Sequence, residues 1–310
     1  MLKVENLYKD FDNVRAVEDL SFELKEGRIC GFVGPNGAGK TTTMRIISTL
    51  DEASNGDIFV DNKSIREYPY ETRRKIGFMP DHYGTYPDLT VQDYLEFYAR
   101  AYEINGGKRN SRIEQIMDFT GLIKISSKKV ETLSKGMRQR LNLGRALIND
   151  PRLMIMDEPA AGLDPRARVE LRFLVKKLAE RGKTIFISSH ILTELGEICD
   201  DILIIDKGRL VAFGDVDDIQ KEMQKTAEIF IRVLNPEDVK KLEKYLLERP
   251  NIENIRPLKD DTLLFTYMED IEKVPGFIRE MINTGFSVIE FKPQMMTMED
   301  VFIQITQGEF

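Results

Sequence analysis

Four short stretches of this chain are apolar at nearly every position: ICGFV (29–33), LMIMD (153–157), TIFIS (184–188) and ILIID (202–206). A strand with one wet face alternates, and these do not, so each reads as a strand buried on both faces. Between the second and third, a helix is predicted by Asp164 as N-cap, Pro165 in the first turn, a Leu171, Leu174, Val175, Leu178 stripe and Gly182 just past the end. Strand, helix, strand implies a parallel sheet and an α/β fold.

At 310 residues the chain is long for one core, so two domains are expected. Residues 85–150 carry a helical stripe (Val91, Tyr94, Leu95, Tyr98, Tyr102) and no convincing strand before 153, which reads as a helical insertion. After about residue 220 the order becomes strand (TAEIFIRV), helix (236–248), strand (IENIRPL), strand (TLLFTY), helix (271–284) and strand (FSVIEFKP). That βαββαβ order is the ferredoxin-like arrangement, a small α+β domain. A last helix over 298–306 is predicted from Thr297 and Asp300 at capping-box spacing. The expected domains are 1–218, with the insertion at about 85–150, and 219–310.

No apolar run approaches the roughly 18 residues that span a bilayer, and MLKVENLYKD lacks the apolar core of a signal peptide, so a cytoplasmic location is expected. Cys30 and Cys199 lie beside apolar runs rather than in a spaced cluster, which argues against a disulfide framework or a zinc site. Of the net charge of −7, −5 falls in residues 219–310, which disfavours a nucleic-acid-binding tail.

GPNGAGKTT follows ICGFV directly and precedes a segment with Met44, Ile47 and Leu50 on one helical face. Strand, glycine-rich turn and helix in this order form a phosphate-binding loop: Gly34, Pro35, Asn36, Gly37, Ala38 and Gly39 wrap backbone N–H groups around phosphates. Lys40 reaches the β and γ phosphates, Thr41 offers a hydroxyl to Mg²⁺, and Thr42 completes the loop. The loop alone does not separate kinase, GTPase and ATPase. Asp157, at the carboxyl end of LMIM, is placed to hold Mg²⁺ through water, and Glu158 beside it to polarise an attacking water. No Asn-Lys-x-Asp base-reading motif is present, which disfavours guanine.

In LSKGM (133–137), Ser134 reads either as a plain helix cap or as a group aimed at a ligand. Together GPNGAGKTT, LSKGMRQRLNLGRALINDPRLMIMDEPAAGLDP and ISSH resemble, in order, the ATPase subunit of ABC transporters over residues 1–218. The resemblance implies a P-loop NTPase core with ATP and Mg²⁺ as ligands. LSKGM is then the family signature, whose Ser134 and Gly136 face the nucleotide held by a second copy. AGLD (161–164), ending at Asp164, is the dimer-facing loop, and His190 the switch histidine near the γ-phosphate. Phe11 stands where an aromatic stacks on adenine, with Val17 against the sugar. Arg138 and Arg140 read as a solvated face, and His82 as structural.

Three positions depart from the family pattern: Asp81 where many relatives have a glutamine that touches Mg²⁺, Lys135 for the middle signature glycine, and Met137 for its glutamine. The resemblance further implies a homodimer, a membrane permease as a separate polypeptide, and a location peripheral on the inner face of the membrane, with no nucleic acid bound. The βαββαβ extension resembles that of exporters of drugs, lipids or polysaccharides. The alternatives are a soluble ATPase of this family acting on ribosomes or DNA, and an importer motor.

Overall fold

The computed structural model describes every residue except 13, 83, 85, 190–194, 217, 219–226 and 296–310. The chain divides into two compact units, Met1–Gly214 and Asp215–Phe310.

In the first unit, β1 (Leu2–Phe11), β2 (Val14–Leu24), β4 (Asn55–Val60) and the two-residue β5 (Lys63–Ser64) form an antiparallel sheet in the order β2-β1-β4-β5. A second sheet runs β10-β9-β3-β8-β7-β6, from β10 (Arg209–Asp215), β9 (Asp201–Asp206), β3 (Ile29–Val33), β8 (Thr184–Ser189), β7 (Leu153–Met156) and β6 (Ile76–Met79), the last entered directly from α2 (Pro69–Lys75). From β9 to β6 every neighbouring pair is parallel. The four apolar runs are its inner strands, and β3, β7 and β8 are buried at every residue, as the missing alternation requires.

One apolar core joins the two sheets and α1 (Lys40–Ile47): Met44, Ile46 and Ile47 of the helix share it with Leu2, Val4, Leu20 and Ile58 of the first sheet and Phe32, Ile155 and Leu203 of the second. Phe32 stacks on Phe186 at 4.9 Å between ring centroids. Each such fully buried side chain contributes about 1.5–3 kcal/mol.

Residues 85–150 hold α3 (Val91–Ala101), α4 (Gly106–Phe119) and α5 (Lys135–Ala146), with an isolated Thr90–Lys129 bridge as the extended pairing among the described residues. The predicted stripe is buried at Val91, Tyr94 and Leu95 and wet at Tyr102. The helices close up at Gly144, where a Cβ would lie 2.9 Å from Ile116. In α6 (Pro165–Glu180), the Asp164 carboxylate accepts from the Ala167 N–H at 3.0 Å and the four stripe residues are buried.

The second unit is β11 (Ala227–Val233), α7 (Val239–Leu247), β12 (Ile252–Lys259), β13 (Thr262–Tyr267), α8 (Val274–Asn283) and β14 (Val288–Met295). Its sheet runs β12-β13-β11-β14 with every neighbour antiparallel, the topology of a ferredoxin-like βαββαβ unit. Ile229, Ile231, Leu263 and Phe265 pack with Leu242, Leu246, Phe277 and Met281 of the helices. The predicted helix at 298–306 lies outside the described residues.

Candidate nucleotide-binding site

The strand order brings the carboxyl ends of β3, β8 and β7 side by side, and the register sets Phe32 against Ser188 and Met156 against Ile187. The chain leaves β3 through a loop that glycine makes feasible. A Cβ on Gly34 would lie 2.5 Å from the Ile205 carbonyl oxygen, and one on Gly39, at φ +102°, 2.5 Å from that of Ala16. The Ala38 N–H donates to the Pro35 carbonyl at 3.1 Å, and the Gly208 N–H donates to the Ala38 carbonyl at 3.0 Å, tying the loop to the β9–β10 turn. α1 begins at this loop with no acidic residue in its first turn, so its positive end is left for an anion.

A cleft of about 340 Å³ opens over the loop, lined by Ala16, Asn36, Gly37, Gly39, Lys40, Thr41, Thr42, Asp81, Glu158 and Ala161. Lys40 is 6% exposed; its ammonium donates to the Gly34 carbonyl at 2.6 Å and the Pro35 carbonyl at 3.2 Å, and stands 3.9 Å from the Glu158 carboxylate. Burial pulls the Lys40 ammonium below its ordinary value, while the Glu158 and Asp157 carboxylates push it back up. The site is therefore a cation sunk in a cradle of backbone groups, faced by two acids.

Those acids are held by a residue that the motif reading passed over. Ser188, wholly buried at the end of β8, donates its hydroxyl to Asp157 Oδ1 at 2.8 Å and accepts the Glu158 N–H at 2.8 Å. Asp157 is 2% exposed, and its N–H donates to the Met79 carbonyl at 2.8 Å. Glu158 takes φ +46°, a left-handed backbone that costs a non-glycine residue about 1–2 kcal/mol. The Ser188 bond and a turn from the Ala161 N–H to the Glu158 carbonyl at 3.0 Å hold it there. The ISSH segment carried the signal for Ser188, although only its histidine was read.

Other expected residues lie elsewhere. Val17 is fully buried in the core, 3.5 Å from where a Cβ on Gly39 would stand, and its neighbour Ala16 lines the cleft. Phe11 is 47% exposed at the end of β1, outside the cleft lining, with the Lys9 ammonium 4.7 Å from its ring centre. Asp81 reaches the cleft and pairs with His82 Nδ1 at 2.7 Å. Ser134 is exposed and caps α5, accepting from the Met137 N–H at 3.3 Å. Ser134, Gly136 and Asp164 are absent from the cleft lining, and Lys135 lies against Gly162 of the AGLD segment. His190 falls outside the described residues.

The geometry suits a nucleoside triphosphate, and comparison with known proteins agrees. Residues 17–161 match the family model described as ABC transporter. The uncharacterized ABC transporter ATP-binding protein YhcH of Bacillus subtilis (strain 168) is 33% identical over 99% of this chain and 96% of its own length. The chain belongs to the ABC transporter family as an ATP-binding subunit. It is an ABC-type ATPase by that membership. The Nod factor export ATP-binding protein I of Ralstonia nicotianae is 31% identical over 100% of this chain and 94% of its own, and the linearmycin resistance ATP-binding protein LnrL of B. subtilis (strain 168) is 38% identical over 71% and 70%. A solved ATP-binding subunit of an ABC transporter superposes with a TM-score of 0.65 at 31% identity, covering 71% of this chain and 92% of that one. The ATP-binding cassette MJ0796, a dimer in a post-hydrolysis state with ADP and Pi, gives 0.63 at 27% identity, covering 70% and 99%. Among the described residues, no helix is long and apolar enough to cross a membrane.

Proposed function

We propose that two copies of this chain close head to tail around two ATP molecules, each nucleotide lying between the phosphate loop of one copy and the signature of the other. The observation that carries the reading is the separation within one copy: the cleft gathers Asn36, Gly37, Gly39, Lys40, Thr41, Thr42, Asp81 and Glu158, while the Ser134 end of α5 stays exposed and outside it. A second copy supplies what the cleft lacks. The dimeric state of the MJ0796 cassette supports this.

Mg²⁺ fits the donor set. The Thr41 hydroxyl and the Asp81 carboxylate line the cleft with Asp157 beneath, all hard oxygen donors, and among the described residues no cluster of three or more metal-binding side chains competes for another ion. Mg²⁺ favours one or two carboxylates plus substrate phosphates over a full protein cage, and when bound it neutralises charge on the β and γ oxygens. Lys40 exchanges its carbonyl partners for phosphate oxygens, and the loop N–H groups hold the same anion. Glu158 accepts a proton from water as the water oxygen bonds to the γ-phosphorus and the β–γ bridging oxygen leaves with ADP. His190 and Ser134 contact the γ-phosphate, the latter from the partner copy, and Phe11 stacks on the adenine.

The motor drives a separate membrane permease from the inner face of the membrane. Export is the favoured direction, because the alignment with the Nod factor export protein runs through both units. Glu158→Gln is expected to keep ATP affinity, lose roughly 10²- to 10⁴-fold in turnover and accumulate ATP-dependent dimers by light scattering. Ser134→Arg in that background abolishes the dimer. A dimer that persists in the double variant overturns the shared site. Purification from membranes identifies the permease, and recovery from soluble extract alone speaks against one.

A further inference from the structure

α5 does more than present Ser134. Along one side of it, at positions three apart, Gln139, Asn142 and Arg145 reach back into their own protomer. Gln139 Nε2 donates to the Pro159 carbonyl at 2.7 Å, Asn142 Nδ2 to the Pro80 carbonyl at 3.3 Å, and the Arg145 guanidinium to the Phe78 carbonyl at 3.2 Å. Pro159 directly follows Glu158, and Pro80 directly precedes Asp81. Both amides are buried, Gln139 at 7% exposed and Asn142 at 0%, and Asn142 Oδ1 has no hydrogen-bond partner among the described residues. An amide buried with an empty acceptor is costly, which leaves the donor bond to Pro80 as the contact that offsets the burial.

The helix that begins at Ser134 therefore grips the backbone beside both acids of its own cleft. We propose that Gln139 and Asn142 are positioning residues: through Pro159 and Pro80 they set the Glu158 and Asp81 carboxylates of their own site, so that engagement of α5 by the partner's nucleotide is transmitted to the acids of the protomer that carries it. This rests on the shared-site reading above. A rigid helix moves as a unit, and a misplacement of about 1 Å at an attacking water's acceptor is enough to slow the reaction up to about 10²-fold.

The test uses mixed dimers of the full chain in which one copy carries Glu158→Gln, so that only the cleft of the other copy turns over. Gln139→Met keeps the side-chain length and removes the donor. Placed in the copy with the working Glu158, it lowers single-turnover hydrolysis about tenfold or more, with ATP affinity within twofold. Placed in the Glu158→Gln copy, whose signature touches the working nucleotide, it leaves the rate within twofold. Asn142→Leu, which also removes the unpaired oxygen, follows the same pattern and serves if Gln139→Met folds poorly, with melting within about 4 °C of the parent as the check. Equal slowing in both placements, or slowing in neither, overturns the proposal. Failure of the parent Glu158→Gln copies to pair with ATP refutes the shared site itself, and the proposal with it.

Discussion

Ser188→Ala removes a single oxygen from the site, and its cost follows from two bonds. The hydroxyl donates to a carboxylate that is 2% exposed, and a hydrogen bond to a charged group is worth about 1.5–3 kcal/mol. The same oxygen accepts the Glu158 N–H, and stranding a buried donor costs about 1–3 kcal/mol. Ser188 itself is 0% exposed, so solvent does not readily replace it. The two losses share one atom and overlap, which gives a total of about 3 kcal/mol. For a unit the size of Met1–Gly214 that lowers the melting temperature by roughly 6–12 °C. Function suffers separately, because the left-handed Glu158 backbone loses a tether and its carboxylate loses its aim. Turnover at saturating ATP falls about 10- to 100-fold, while ATP affinity stays within a few-fold because the phosphate loop is untouched. Calorimetry and a phosphate-release assay measure the two effects. A variant that melts with the parent and turns over within twofold of it refutes the claim that Ser188 organises the acids.

Gly39→Ala meets both a φ of +102° and the Ala16 carbonyl at 2.5 Å, so the loop shifts and ATP affinity falls about 10²-fold in a nucleotide titration; unchanged affinity would show that the loop does not bind as described. Burial pushes the Cys30 and Cys199 thiols well above their ordinary value, so neither is alkylated at pH 8 in the folded chain and both are once it is unfolded; rapid labelling of the native protein contradicts their packing. The Arg45 guanidinium, 2.6 Å away, holds the Asp51 carboxyl below its ordinary value. Because the folded value is the lower one, this stability is fully present above the ordinary carboxylate value of 3.8 and is lost as pH falls through the folded value. Both side chains are partly wet, so Asp51→Asn costs only roughly 0.5 kcal/mol at pH 7 and nothing once the pH lies below the folded value, and a loss that persists there excludes this pair as its source.

The buried parallel strands were legible because nothing but burial on both faces produces a run such as TIFIS. The antiparallel sheet was not, and β1 shows why. Its residues LKVENLYKDF mix four charges with the apolar positions, and three register shifts along its pairing with β2, together with Asn6 at φ +44°, break the period of two. β6 is only four residues long, too short for a period to register. The βαββαβ elements were readable because β11 alternates buried and half-buried residues at every step.

The phosphate cradle was legible for a related reason: backbone geometry dictates its glycines. Contacts made by one ordinary residue across the fold, such as Ser188 or Gln139, leave no local pattern. The signature lies between these cases. As a cap Ser134 is satisfied by the Met137 N–H, so cap chemistry alone leaves its function open. Its surroundings are more telling. Like α1, α5 begins without an acidic side chain in its first turn, and Lys135 and Arg138 add positive charge where the helix end is already positive. α4 and α6 also begin without an acidic residue in the first turn, so a positive helix end does not by itself mark a ligand, and among these helices only α1 opens into the phosphate cleft. What sets the Ser134 end apart is its place in LSKGM outside the cleft, and the shared-site proposal gives it a nucleotide held by a second copy. On that proposal the head-to-tail pair is the smallest closed assembly in which every cleft receives a Ser134 end, because two copies related by a two-fold axis exchange the same surfaces.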